Sequence, residues 1–361
     1  MKAVRFSPSI EIEAEREADL TREILARMAA SQAANSDKHR HAIRDAHAKS
    51  HAILKANLTV HEELAPELAQ GIFANPGSFP AVVRLSSSPG DIHADRVPAP
   101  RGFATKVIGV PGERLLPALG GHNQDFLMVN FPVLAFGTIG KYLQMLRLLE
   151  KNAAAPDFFQ RIVAGTARLA EGAVQAVGAT PHATLQGMAR DNNNMLGETF
   201  HTQAAVRYGE YIAKLSFAPK SANVRALTGR PVKVHEFSSF RNAVVEHFRQ
   251  EGADYEVRVQ LCTDLEAMPV EDASVPWDEN ASPQQVVATL RIEPQDGHTP
   301  ARRNYGDDIL SFNPWNGVQA HQPLGSIMRI RKPAYERSSA FRHHQNALGR
   351  LEPDSLAQIP D

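Results

Sequence analysis

The chain has 361 residues, 43% of them apolar and 22% charged, with a formal net charge of −1 and one cysteine, Cys262. That apolar share supports a folded core and excludes global disorder, while the near-zero charge leaves no electrostatic case for nucleic acid or anionic membranes. A lone cysteine excludes an internal disulfide and fits a reducing cytoplasm, the N-terminus lacks the apolar core of a signal peptide, and no run approaches the roughly 18 apolar residues of a membrane span.

Residues 9–33 predict an amphipathic helix, with Leu20, Ile24, Leu25 and Met28 at helical spacing among Glu and Arg. A charged, His-rich piece follows from Asp37 through His47 and His51 and reads as a solvated connector unless its histidines carry chemistry. Residues 52–62 predict a strand with imperfect alternation, and residues 63–75 a short helix ending at Asn75-Pro-Gly. Over 81–86, Val83 and Leu85 face one way and Arg84 the other. Further strands are predicted over 102–110 and 125–130. Ile139, Tyr142, Leu143, Leu146 and Leu149 stripe a helix over 138–150, and a second helix is predicted over 157–177, both covering one face of a sheet.

From Thr202 the pattern turns to period two. Tyr211, Ala213, Leu215 and Phe217 form one apolar row, Tyr255, Val257, Val259 and Leu261 a second, and Val286, Ala288, Leu290 and Ile292 a third. A helical stretch over 242–251 interrupts them. Strands in two blocks without a βαβ rhythm argue an α+β fold around an antiparallel sheet or barrel. The division expected is an N-terminal helical arm over 1–40 and a single core over 41–361.

Glycine-rich nucleotide loops, His-Glu-x-x-His and Gly-x-Ser-x-Gly are all missing, so nucleotide chemistry, zinc proteolysis and serine hydrolysis by familiar routes lack support. The chemistry concentrates in two stretches. In Arg331-Lys-Pro-Ala-Tyr335-Glu-Arg-Ser-Ser-Ala-Phe-Arg342, two arginines bracket one tyrosine. Pro333 predicts that Tyr335 lies at or near a helix start, with Arg342 about two turns beyond on the same face. A phenol, with a free pKa of about 10, becomes a phenolate near neutral pH only beside strong positive charge, and arginine does not lose that charge. Such a phenolate is a ligand for ferric haem iron; the plainer alternative is a hydrogen-bonded structural tyrosine. The other stretch is Arg44-Asp-Ala-His47-Ala-Lys49-Ser-His51, whose histidines could move protons in peroxide cleavage or lie on the surface. A rival grouping is a non-haem metal site from His39, His41, His47 and His51, of which the last two are spaced for one helix face.

Together these stretches resemble the catalase family. Arginine, three residues, tyrosine, then an arginine seven further on is similar to its proximal haem motif, and Leu310-Ser-Phe-Asn-Pro-Trp-Asn316 and His321-Gln-Pro-Leu-Gly325 are similar to what precedes it in small catalase-related haem proteins. The run around His47 resembles the distal segment, Val83-Arg84-Leu-Ser86 the family's Val-Arg-Phe-Ser, and Pro100-Arg101-Gly-Phe-Ala-Thr-Lys106 its Pro-Arg-Gly-Phe-Ala-x-Lys. The pieces span roughly 40–345 in the family's order. The resemblance implies a catalase-type antiparallel β-barrel with surrounding helices, one haem b, and Tyr335 as iron ligand kept anionic by Arg331. It implies His47 as distal acid–base, with His51 as competitor because the register after Lys49 is not clean. Arg44, Arg84 and Arg342 would contact propionates or the tyrosinate, Ser86 would lie near the distal histidine, and Phe126 would shield the pocket. Arg101 is expected to be structural.

Two departures stand out. Arg337-Ser338 occupies the place of the family's Asp-Thr, and direct counting puts Gly121 where a peroxide-orienting asparagine belongs, with His122 and Asn123 adjacent. Asn123 is the candidate for that role. The expectation is therefore a peroxidase or organic-hydroperoxide role in the oxidative stress response, fatty-acid hydroperoxides included, over fast disproportionation. The alternatives are a haem sensor or carrier without turnover, or the non-haem metalloenzyme. A minimal catalase-related core without the family's C-terminal additions is expected, assembled as a homodimer.

Overall fold

The computed structural model describes residues 2–97, 99–151 and 192–361. Among the described residues, period-two alternation becomes nine strands: β1 Lys49–Val60, β2 Gly77–Ser87, β3 Arg101–Val107, β4 Gln124–Val129, β5 Phe200–His201, β6 Val206–Tyr208, β7 Tyr211–Pro219, β8 Ala253–Leu261 and β9 Gln285–Ile292. All pair antiparallel in the order β5-β4-β3-β2-β1-β9-β8-β7-β6. The short β5 also pairs with β7, through Phe200 with Phe217 and His201 with Ser216, and this closes eight strands into a barrel with β6 outside the ring. Closure leaves no open edge among the eight.

One parity of each strand fills the barrel. Val83 and Leu85 of β2, Phe103 of β3, Phe126 and Met128 of β4, Phe217 of β7 and Leu290 of β9 share a single buried cluster. Each such side chain contributes about 1.5–3 kcal/mol by leaving water. The opposite parity faces outward, and part of it lines a cavity on the outer wall of the barrel.

Six α-helices lie among the described residues: α1 Glu17–His39, α2 Ile139–Lys151, α3 Ala222–Arg225, α4 Ser239–Gln250, α5 Pro300–Asn304 and α6 Ser326–Gln345. Helices α1, α2 and α6 meet through Ile24, Ile139, Leu143 and Ile330. Among the described residues no helix is long and apolar enough to cross a membrane. The helix expected over 157–177 lies outside the described residues.

Three expectations need correction. Helix α1 begins at Glu17 and continues through the His-rich piece to His39. Upstream of it the backbone is committed elsewhere: Val4 N donates to Cys262 O, Phe6 N to Glu210 O, and Ile12 N to the Glu271 carboxylate. Residues 63–75 form turns and one 3-10 turn, Gly71–Phe73, because Glu63 and Gly71 adopt positive φ and the Tyr208 hydroxyl takes the Leu68 carbonyl at 2.6 Å. Pro333 does not open the tyrosine helix; it sits inside α6. An internal proline forfeits one helical hydrogen bond at about 3 kcal/mol, and the flanking turn is fixed by other contacts. Arg329 pairs with Glu11, Glu17 and Glu271, and Trp315 Nε1 donates to the Met328 carbonyl at 2.6 Å.

Candidate active site

Helix α6 presents Arg331, Tyr335, Ser338, Ser339 and Arg342 to one cavity. The spacings of four, seven and eight from Arg331 follow one helix face, so helical periodicity alone aligns them. Arg331 Nη2 donates to the Tyr335 hydroxyl at 2.8 Å. Its guanidinium also stands 5.1 Å from the centre of the tyrosine ring.

The barrel supplies the facing wall through two rungs of outward residues. Arg84 on β2 is level with Ala104 on β3, which is level with Leu127 on β4; Ser86, Gly102 and Val129 form the next rung. All six line the cavity. Small residues on β3 leave room above the wall, and Gly102 is required. A Cβ there would meet His47 Nδ1 at 2.6 Å and Ser86 Oγ at 2.7 Å.

His47 sits against this wall at the end of the loop before β1, with a positive φ of 50°. That conformation is uncommon outside glycine and asparagine, and such residues concentrate at functional positions. Its Nδ1 lies 3.4 Å from Ser86 Oγ and its Nε2 3.3 Å from Ser88 Oγ. Burial, then Arg84 and Arg331, lowers its pKa to about 3, so the ring is neutral near pH 7.

One corner of the cavity is strongly cationic. Arg44, Arg84 and Arg342 converge on the π turn Tyr305–Ile309. Arg44 donates to the carbonyls of Gly306, Asp307 and Leu310, and Arg342 to those of Asp307, Asp308 and Leu310. Arg84 Nη2 donates to the His47 carbonyl at 3.0 Å, but its buried Nε has no partner. The neighbouring carboxylate, Asp307, stands 3.6 Å from Arg44 and 3.7 Å from Arg84. Burial and then the neighbouring arginines push Arg84 down to about 9 and Arg342 down to about 8. Burial is the larger cause in both, and since arginine does not deprotonate in practice this corner stays positively charged.

Several expected site residues lie elsewhere. Asn123 is not in the cavity: its Nδ2 donates to Glu352 and to the Pro353 carbonyl, both at 3.0 Å, within the buried Lys106–Asp125–Glu352 network. Phe126 is not in it either. Its register partner is Thr105, paired in turn with Val83, so it points into the barrel against Phe73, Phe217 and His321. His51 is fully buried on β1, its Nε2 at 2.7 Å from Ser87 Oγ, outside the cavity. His39 pairs with Asp91 and His41 with Asp308, so the four histidines do not converge. Among the described residues no group of three His, Cys, Asp or Glu is placed to hold a metal ion. Arg101 is buried over the Phe240 ring at 4.2 Å, with Glu198 at 3.5 Å. Of the Asp-Thr replacement, Arg337 is exposed while Ser338 lines the cavity and accepts from Gln32.

Sequence reasoning missed Leu127, Val129, Ala104 and Gly102. Parity could have found them, since the face shared by Arg84 and Ser86 continues across the ladder. Thr202 and Gln203, also in the lining, follow a two-residue strand that no periodicity could expose.

A closed eight-stranded antiparallel barrel with helices packed on its outer wall is the catalase-type fold, and this chain has it. No family model matches the sequence, and no curated protein matches it. Solved structures do. A fungal catalase superposes with TM-score 0.60 at 15% identity, over 91% of this chain and 62% of its own. Catalase A from Saccharomyces cerevisiae gives 0.58 at 15% over 88% and 67%, and a bacterial catalase 0.57 at 14% over 94% and 63%. The chain thus spans about three-fifths of the fungal catalase's length.

Proposed function

We propose that the chain is a haem-dependent enzyme of peroxide metabolism, acting as a peroxidase or on organic hydroperoxides. The observation that carries this reading is the Arg331–Tyr335 hydrogen bond of 2.8 Å at a cavity whose far corner holds three converging arginines. The donor set fits haem b. Tyr335 offers an anionic oxygen to ferric iron, and Arg331 stabilises the charge that the ligand must carry. Arg44, Arg84 and Arg342 suit two propionates, and the unpartnered Arg84 Nε is a donor for one of them. Bound there, haem supplies an iron centre that exchanges electrons with a peroxide bond.

The chain's own part is proton movement and positioning. Cleaving a peroxide asymmetrically requires a proton to leave the near oxygen and reach the far one. His47 is neutral near pH 7, so it can accept that proton. Ser86 Oγ lies beside Nδ1 and Ser88 Oγ beside Nε2, so each ring nitrogen has a hydroxyl next to it during the transfer. Leu127, Val129 and Ala104 give the barrel side of the site an apolar stretch beside Arg84 and Ser86. The single cysteine remains compatible with a cytoplasmic enzyme.

The reading is tested on haem-loaded protein by turnover of hydrogen peroxide and an alkyl hydroperoxide beside His47→Ala. Loss of the proton carrier should reduce kcat by about 10²–10⁴-fold. Turnover unchanged by His47→Ala would favour a haem sensor or carrier.

A further inference from the structure

Beyond Ser88 lies a second cavity of about 500 Å³, walled by Ser87, Ser88 and Pro89 on one side and by Ala94, Val97 and Phe240 on the other. The loop that closes it is well fixed: Ser88 N donates to Pro100 O at 2.9 Å, Ala48 N to Pro89 O at 3.0 Å, and Phe240 N to the Asp95 carboxylate at 2.7 Å. The cavity also contacts an ion pair, Lys49 with Asp95. Lys49 has no donor to spare, because its three protons are taken by Asp95, the His93 carbonyl and the Phe237 carbonyl. That pair is a strut, and the remaining lining is largely hydrocarbon.

Ser88 belongs to this wall, yet its hydroxyl stands 3.3 Å from His47 Nε2. The chamber and the acid–base therefore meet at one side chain. Asn123, the expected peroxide-orienting group, has its amide turned toward Glu352 and Pro353. A serine hydroxyl both donates and accepts, so it can hold a hydroperoxide by its O–H and by its far oxygen.

We infer that this chamber takes the alkyl chain of an organic hydroperoxide, with the –OOH group hydrogen-bonded to Ser88 Oγ beside His47. The inference rests on the proposed peroxide chemistry and adds the place of the alkyl chain and the role of Ser88. Hydrogen peroxide has no chain to fill the chamber, so the two substrates report on different parts of the site.

Two variants separate the parts. Ala94→Trp fills the chamber, and Ser88→Ala removes the hydroxyl. Calorimetry on the purified protein uses 1-octanol as a non-reacting stand-in for octyl hydroperoxide. Saturable binding, weakened at least about tenfold by Ala94→Trp, is expected. In turnover by haem-loaded protein, Ala94→Trp should raise KM for octyl hydroperoxide by a similar factor and by more than it raises KM for hydrogen peroxide. Ser88→Ala should lower kcat/KM for both substrates about tenfold, keep octanol binding, and be rescued by Ser88→Thr. Absence of saturable octanol binding, or equal binding by Ala94→Trp, overturns the inference. So does Ser88→Ala turning over both substrates at the parent rate. Protein that takes up no haem would defeat the peroxide reading, while the octanol titration would still decide the chamber.

Discussion

Gly102→Ala probes the site without removing any functional group. Gly102 sits on β3 between Ser86 and Val129, and its φ is not in the left-handed region, so alanine fits the backbone. The added methyl lands 2.6 Å from His47 Nδ1. Restoring ordinary contact near 3.4 Å moves the ring by about 0.8 Å. Displacement of a reacting group by ~1 Å costs on the order of 10²-fold in rate, and overpacking costs about 1–3 kcal/mol of stability. Haem-loaded Gly102→Ala should therefore keep its Soret band, melt a few degrees lower, and lose between one and two orders of magnitude in peroxide turnover. A variant within twofold of the parent rate, with unchanged haem content, would refute the packing of His47 on this glycine and the importance of its position.

Two further outcomes follow from the same geometry. The pKa of His47 is lowered from 6.5 to about 3 because burial favours the neutral ring; its contribution to stability is full above about 6.5 and is lost as pH falls toward 3. The pH–rate profile should accordingly show no step near 6.5 that depends on His47; a step there, abolished by His47→Gln, would contradict the buried neutral ring. Asn123→Ala should leave turnover per bound haem unchanged and cost about 1–3 kcal/mol in denaturant unfolding, since its side chain bonds only Glu352 and Pro353. A hundredfold loss of turnover in this variant would restore it to the peroxide site.

Much of the architecture was legible in the alternation of apolar residues. Val83, Leu85, Leu215, Phe217, Val257 and Leu290 all fill the barrel as their parity requires. Closure was not legible, because it rests on a two-residue strand, Phe200–His201, too short to show a period. At the site, local spacing carried well: Arg331, Tyr335 and Arg342 lie on one helix, and a helix fixes its faces. Residues on different elements carried less well. Residue type and distance from a motif point to Phe126, whereas its pairing with Thr105 makes it core and leaves Leu127 at the cavity. Asn123 failed for a long-range reason, since Glu352 and Pro353 near the chain's end claim its amide. Pro333 misled because Arg329 and three glutamates stabilise a helix turn that the proline alone would break.

The central claim is that Tyr335 ligates haem iron, and the direct measurement is the absorption spectrum of protein expressed with haem supply, beside Tyr335→Phe. A high-spin ferric Soret band is expected in the parent and should be lost or displaced in the variant. A colourless parent that takes up no added haemin, or a band indifferent to the substitution, would contradict it.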